Sequence, residues 1–275
     1  MTIRSDDGTP LDGVFYTGAA GSDRPEARTV VNFLHGRSMN FAVGLPRFAA
    51  AGLVAAGYDV VAMNRRSAGI VAIRDRFEAV GDAWTLWSEH RMDVAAVVEH
   101  LRGRGYRRIV MVGHSQGGML AADYAARNPL VAALILASPA RTFKGVSPML
   151  PEAAQEELVR DAQAMVAEGR GRDLLFFSEF PWILSATAAV DPLTPGLVTP
   201  LAELAERYVG PLLLLCGGAG HDARLVSVAR AAFERSASRV KRLEILEGCD
   251  HFYVGFEDRV TALIREWLEA NVPPK

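Results

Sequence analysis

The sequence predicts an α/β fold: a mostly parallel central sheet with helices on both faces and a helical insertion between two core strands. Three observations carry this. Short apolar runs alternate along the chain with segments of helical spacing. The runs are continuously apolar rather than alternating, as strands buried on both faces must be. One of them, Arg108 to Val112, leads directly into Gly113-His114-Ser115-Gln116-Gly117-Gly118, and an alanine-rich helical segment, Met119 to Asn128, leads out.

The elements follow in order. The first ~17 residues, with Gly8-Thr9-Pro10 between short runs, predict an antiparallel hairpin at one sheet edge. Thr29 to Leu34 reads as a buried strand, followed by the loop His35 to Asn40. Phe48 to Ala56 is helical and stops at Gly57; Tyr58 to Met63 is the next strand. Asp82 to Leu101 is a long amphipathic helix, with Trp84, Trp87, Met92, Val94, Ala95, Val98 and Leu101 mostly on one side. After Arg108 to Val112 come the strand Val131 to Ala137, the strand Pro211 to Cys216, a helix Leu225 to Arg235, the strand Arg242 to Leu246 and a helix Asp258 to Ala270.

The stretch 138–206 breaks this rhythm. It shows no convincing strand, several helical stretches such as Pro151 to Glu168, and the aromatic cluster Phe176, Phe177, Phe180 and Trp182. It is expected to be a helical cap inserted into a core formed by 1–137 and 207–275. The aromatics line an apolar pocket beneath it or form its own small core.

Composition narrows the function. The chain has 275 residues, half of them hydrophobic, and a net charge of −2. Nothing in that balance suggests nucleic acid or an anionic membrane as a partner. No apolar stretch reaches the ~20 residues of a membrane span. The N-terminus lacks the apolar segment of a secretory leader. Two cysteines, Cys216 and Cys249, are too few for a disulfide framework. A cytoplasmic enzyme is the simplest expectation, and no metal or cofactor motif is present.

The G-x-S-x-G pattern is the chemical signal. By average glycine and serine usage it arises by chance in roughly one in ten chains of this length, so context decides. A strand before and a helix after are what a nucleophile elbow requires. A serine hydroxyl needs a general base, and the base needs an orienting carboxylate. His251, in Gly248-Cys249-Asp250-His251-Phe252 after the last strand, is the base candidate. Asp222, after the preceding strand, is the acid candidate, with Asp191 in reserve; Asp250 is too near His251 in the chain. An oxyanion needs two donors. The backbone N–H of Gln116 is one, and that of Arg37, in His35-Gly36-Arg37, is the other. His35, Gly36, His114 and Met119 are expected beside the substrate. Arg37, Arg65 and Arg66 either bind a substrate anion or, the favoured reading, form structural ion pairs or a solvated loop.

With these marks in the order Ser115, Asp222, His251, the chain resembles the α/β-hydrolase superfamily, in its serine esterase and lipase-like branch. The His35-Gly36 loop, the G-H-S-Q-G-G elbow, the acid loop and the terminal D-H-F carry the resemblance, which runs from Thr29 to Ala270. It departs where many members resemble D-x-R-G-x-G: here Asn64-Arg65-Arg66-Ser67-Ala68-Gly69 keeps only the second arginine and the last glycine. The resemblance implies cleavage of a small carboxylic ester or thioester through an acyl-enzyme. C–C bond hydrolysis, lactone opening and acyl transfer use the same triad and remain alternatives, as does a non-catalytic binding protein of the same fold.

Overall fold

The computed structural model describes residues 1–18, 24–74, 77–140, 152–177, 182–220 and 222–275, with backbone alone at 74, 152, 177, 182 and 222–224. The strands β1 (Thr2–Arg4) and β2 (Pro10–Tyr16) form the expected antiparallel hairpin, and β2 pairs antiparallel with β4. Then come β3 (Thr29–Leu34), α1 (Leu45–Ala55), β4 (Asp59–Met63) and a short hairpin of β5 (Ala72–Arg74) and β6 (Glu78–Val80). The elbow region is α2 (Trp87–Gly103), β7 (Arg108–His114), α3 (Gln116–Ala125) and β8 (Val131–Ala137). The inserted stretch holds α4 (Glu152–Ala167), β9 (Leu174–Phe177), β10 (Trp182–Ser185), α5 (Ala186–Val190) and α6 (Leu201–Arg207). The chain closes with β11 (Leu212–Gly217), α7 (Asp222–Arg235), β12 (Lys241–Leu246) and α8 (Glu257–Asn271).

Eight strands make one sheet in the order β1-β2-β4-β3-β7-β8-β11-β12, and from β4 to β12 every neighbouring pair is parallel. Alternation along the strands divides the core. Val30, Val61, Ile109 and Met111 face α2, α3 and α6, whereas Val31, Val60, Val110 and Val112 face α1 and α8. The chain leaves β3 to one side for β4 and returns to the other side as β7. The strand order therefore reverses between β3 and β7, which opens a crevice at their carboxyl ends.

One expectation about the inserted stretch is corrected. It contains a β-hairpin, with Ile183 opposite Phe176 and Leu184 opposite Leu175. Leu174 to Phe177 is a run of bulky apolar residues, and cross-strand pairing with Trp182 to Ser185 overrides a helical reading. The helix α6 packs differently from the elements before it. Leu201, Leu204 and Ala205 pack into the main core, while Ala162, Leu184, Ala186, Ala188 and Ala189 form a small cluster of their own. Within the inserted stretch, α6 thus packs with the main core and not with that small cluster. Helix α2 begins later than the sequence suggests, at Trp87 rather than Asp82, and the Glu89 carboxylate accepts the Leu86 N–H at 2.7 Å to start it.

Candidate active site

The elbow follows from close packing. Ser115 has φ 54° and ψ −120°, a left-handed conformation that a residue with a Cβ adopts only under constraint. The constraint is visible on both sides. A Cβ at Gly113 would lie 2.3 Å from the Gly117 carbonyl oxygen, and one at Gly117 would lie 2.3 Å from that of Leu34. Only glycine lets β7, α3 and the end of β3 approach this closely. The turn is then tied down: Ser115 N–H donates to the Ala137 carbonyl at 2.9 Å, and the Ser115 carbonyl accepts from Gly118 at 3.0 Å and Ala140 at 3.1 Å. Gln116 is the first residue of α3, so its N–H has no acceptor within the helix.

The loop after β3 lies directly against the elbow. A Cβ on Gly36 would stand 3.4 Å from Ser115 Cβ, 3.2 Å from His114 Nδ1 and 2.7 Å from the Met39 sulfur. The loop after β12 meets it from the other side. The rings of His114 and His251 are 4.7 Å apart, and His114 Nε2 donates to the His251 carbonyl at 2.8 Å. Tyr253, fully buried at φ 63°, donates to Ser138 Oγ at 3.0 Å and anchors this loop to the end of β8. Asp250 accepts the N–H groups of Phe252 and Val254 and so shapes its own loop.

Asp222 opens α7 at the same sheet edge, and Ala219 N–H donates to the Cys249 carbonyl at 3.0 Å, joining the acid loop to the histidine loop. The Asp222 side chain lies outside the described residues. The reserve candidate Asp191 has another task. Its carboxylate accepts the Trp87 N–H at 2.7 Å and caps the start of α2.

Two of the three clustered arginines form ion pairs. Arg37 pairs with Asp82 at 2.7 Å; Arg66 pairs with Asp93 at 2.7 Å, Asp7 at 2.6 Å and Glu89 at 3.2 Å. Arg66 in turn holds the Asp7 carboxyl down at about 2. Arg65 differs. It is buried and makes no ion pair among the described residues. Nη1 donates to His90 Nδ1 at 2.9 Å and to Gln116 Oε1 at 3.2 Å, and Nη2 to the His35 carbonyl at 2.7 Å. Burial pushes its guanidinium down to about 10, and burial with the Arg65 charge holds His35 and His90 well below the usual histidine value.

Sequence reasoning missed His90 and Asp93. Their signal was position: with Trp87, Val94, Val97 and Leu101 they share the buried face of α2. Three residues expected beside the substrate are buried. His35 and His114 are 1% exposed, and their rings hold neighbouring backbone rather than line open space. Met119 is 2% exposed and packs into the main core with Leu120 and Leu136. Of the aromatic set, Phe176 is exposed on β9. The side chains of Phe177 and Trp182, and all of Phe180, lie outside the described residues. A cleft of about 810 Å³ runs between the segment after β3 and the loop after β12. Met39, Val43, Phe48, Phe252 and Val254 give it apolar walls, with Arg47 and Glu257 at its rim. Among the described residues no His, Cys, Asp or Glu group fit for a metal occurs, and no helix is long and apolar enough to cross a membrane.

A family model described as "Alpha/beta hydrolase family" matches residues 33–266. Comparison with curated protein sequences gives no significant match. Solved structures are similar over nearly the whole chain. Est1E from Butyrivibrio proteoclasticus, with ferulic acid bound, superposes with a TM-score of 0.71 at 17% identity, covering 99% of each chain. The Paleococcus ferrophilus monoacylglycerol lipase gives 0.69 at 19% identity, covering 95% of this chain and 99% of that one. A soluble variant of the Saccharomyces cerevisiae monoglyceride lipase, complexed with a substrate analogue, gives 0.68 at 14% identity, covering 98% and 94%.

Proposed function

The chain belongs to the alpha/beta hydrolase family, and from that premise we propose that it hydrolyses a carboxylic ester or thioester through an acyl-enzyme on Ser115. The observation that carries this reading is the strained Ser115 backbone, held at φ 54° by glycine-only packing, with the His251 loop seated against the adjoining His114. Ser115 Oγ attacks the substrate carbonyl while His251 accepts its proton. Asp222 fixes the imidazole tautomer and stabilises the imidazolium. The N–H groups of Gln116 and Arg37 take the oxyanion. His251 then protonates the leaving alcohol or thiol, and water, activated by the same imidazole, releases the acid.

The apolar cleft beside Met39 and Phe252 takes the non-reacting part of a small-molecule substrate. The unit built by α4, β9, β10 and α5 stands as a cap, with Phe176 as the described member of the aromatic set it offers. The ester and monoacylglycerol chemistry named for the similar structures fits the same class.

A panel of chromogenic acyl esters, thioesters, lactones and a diketone tests this. Turnover of simple esters or thioesters, with Asp222→Asn slowed by about 10⁴-fold, is the expected result. Activity confined to the lactone or the diketone would move the function to another reaction, and an Asp222→Asn effect under tenfold would reassign the acid.

A further inference from the structure

One buried guanidinium touches both loops that carry the oxyanion donors. We infer that Arg65 is a positioning residue that sets the separation and direction of the Arg37 and Gln116 N–H groups, an inference that rests on the Ser115 reading above.

The Gly36 carbonyl accepts the Met39 N–H at 3.3 Å within its own loop, and further donors reach it from the buried side. The Arg65 N–H points at His35 Nε2 at 3.1 Å, so that nitrogen carries the lone pair. His35 is then protonated at Nδ1, which donates to the Gly36 carbonyl at 2.8 Å. Arg65 Nη2 donates to the preceding carbonyl, that of His35, at 2.7 Å, and reaches the Gly36 oxygen at 3.4 Å. The Gly36 carbonyl is thus held on the buried side of the loop. No peptide bond in the described structure is cis. In a trans peptide the N–H points opposite to the carbonyl. The N–H of that unit belongs to Arg37, so it leaves the buried side, in a loop packed against the elbow, where Gly36 neighbours Met39, His114 and Ser115.

The other donor is held by the same fork. Arg65 Nη1 donates to Gln116 Oε1 at 3.2 Å, anchoring the residue whose N–H opens α3. It also donates to His90 Nδ1, which leaves His90 protonated on Nε2. The 3.4 Å approach of Gln116 Nε2 to His90 Nε2 is therefore a contact between two donors, and Gln116 depends on Arg65 alone for its amide bond in this network. A planar group with several N–H donors in fixed directions makes this set of bonds; a lysine ammonium does not.

Arg65 is buried, with its guanidinium spent on His90, Gln116 and the His35 carbonyl, so its loss is expected to act on the tetrahedral state rather than on ground-state binding. In Arg65→Lys and Arg65→Met, kcat is expected to fall about 10²-fold, as for a misplacement of about 1 Å, with KM within about threefold. Affinity for a boronic acid that forms a tetrahedral adduct on Ser115 is expected to fall in proportion to kcat/KM. A kcat within threefold of wild type in a folded variant overturns the inference. So does a lower kcat with unchanged boronate affinity, which marks a merely structural role. If neither variant folds, a crystal structure of the wild-type boronate adduct decides. An adduct oxygen about 3 Å from both N–H groups, with the Gly36 carbonyl still on His35 and Arg65, upholds the inference; a Gly36–Arg37 peptide turned the other way overturns it. Wild-type protein that forms no Ser115 adduct at all refutes the nucleophile assignment instead, so the two failures are distinguishable.

Discussion

At Ser115 a backbone angle that costs energy is maintained by neighbours that leave no alternative. The Gly117 position shows how tight the arrangement is, because an added methyl would meet backbone oxygens of Leu34 and His35, at 2.3 Å and 2.5 Å, with no flexible side chain to yield. Gly117→Ala is expected to destabilise the protein by about 3 kcal/mol in urea unfolding and to abolish turnover. Gly103, at the end of α2 with nothing within 4 Å of an added Cβ, is the control. Gly103→Ala should stabilise by about 0.5–1 kcal/mol and leave turnover unchanged. The elbow was legible in the sequence because its geometry demands glycine at fixed offsets from one serine. The roles of His35 and Arg65 were not, because a histidine that holds a carbonyl and one that faces substrate look alike until their partners are placed.

At the level of elements, hydrophobic spacing fixed most boundaries to within a few residues, since the parallel strands are buried on both faces and read as unbroken apolar runs. The β-hairpin β9–β10 escaped because a short run such as Leu174 to Phe177 carries no periodicity that separates strand from helix. Helix α2 shows the converse: its apolar stripe predicts a helix, yet two polar residues, His90 and Asp93, occupy the same stripe and receive Arg65 and Arg66. At its N-terminus the Asp191 carboxylate holds the Trp87 N–H. Asp191→Ala is expected to cost about 1 kcal/mol of stability while kcat changes less than threefold. A loss of kcat comparable to that of Asp222→Asn would make Asp191 the triad acid.

Across the whole molecule the two ends of the parallel strands divide the tasks. The carboxyl ends carry the candidate site. At the opposite end Asp59, at the start of β4, is buried with Arg28 at 2.5 Å and Tyr106 Oη at 2.7 Å, and accepts the Gly18 N–H at 2.8 Å. Asp59→Asn breaks the buried Arg28–Asp59 ion pair and is expected to cost about 3–5 kcal/mol, with the kcat of the folded fraction unchanged. A second whole-molecule property follows from His35 and His90, both held neutral by burial and the Arg65 charge. Because their folded values lie below the unfolded value of 6.5, the unfolded chain takes up more protons as pH falls. Their contribution is complete above pH 6.5 and is lost progressively below it. The Tm should therefore drop between about pH 7 and pH 5, and His90→Gln should flatten the slope. A Tm that is level across that interval would refute this.

All of the chemistry rests on Ser115 being the reactive group, and intact-protein mass spectrometry after exposure to a neutral fluorophosphonate tests that most directly. One phosphonyl adduct is expected on wild-type protein, located at Ser115, and none on Ser115→Ala. An unmodified wild type, or a Ser115→Ala variant that reacts equally well, would contradict it.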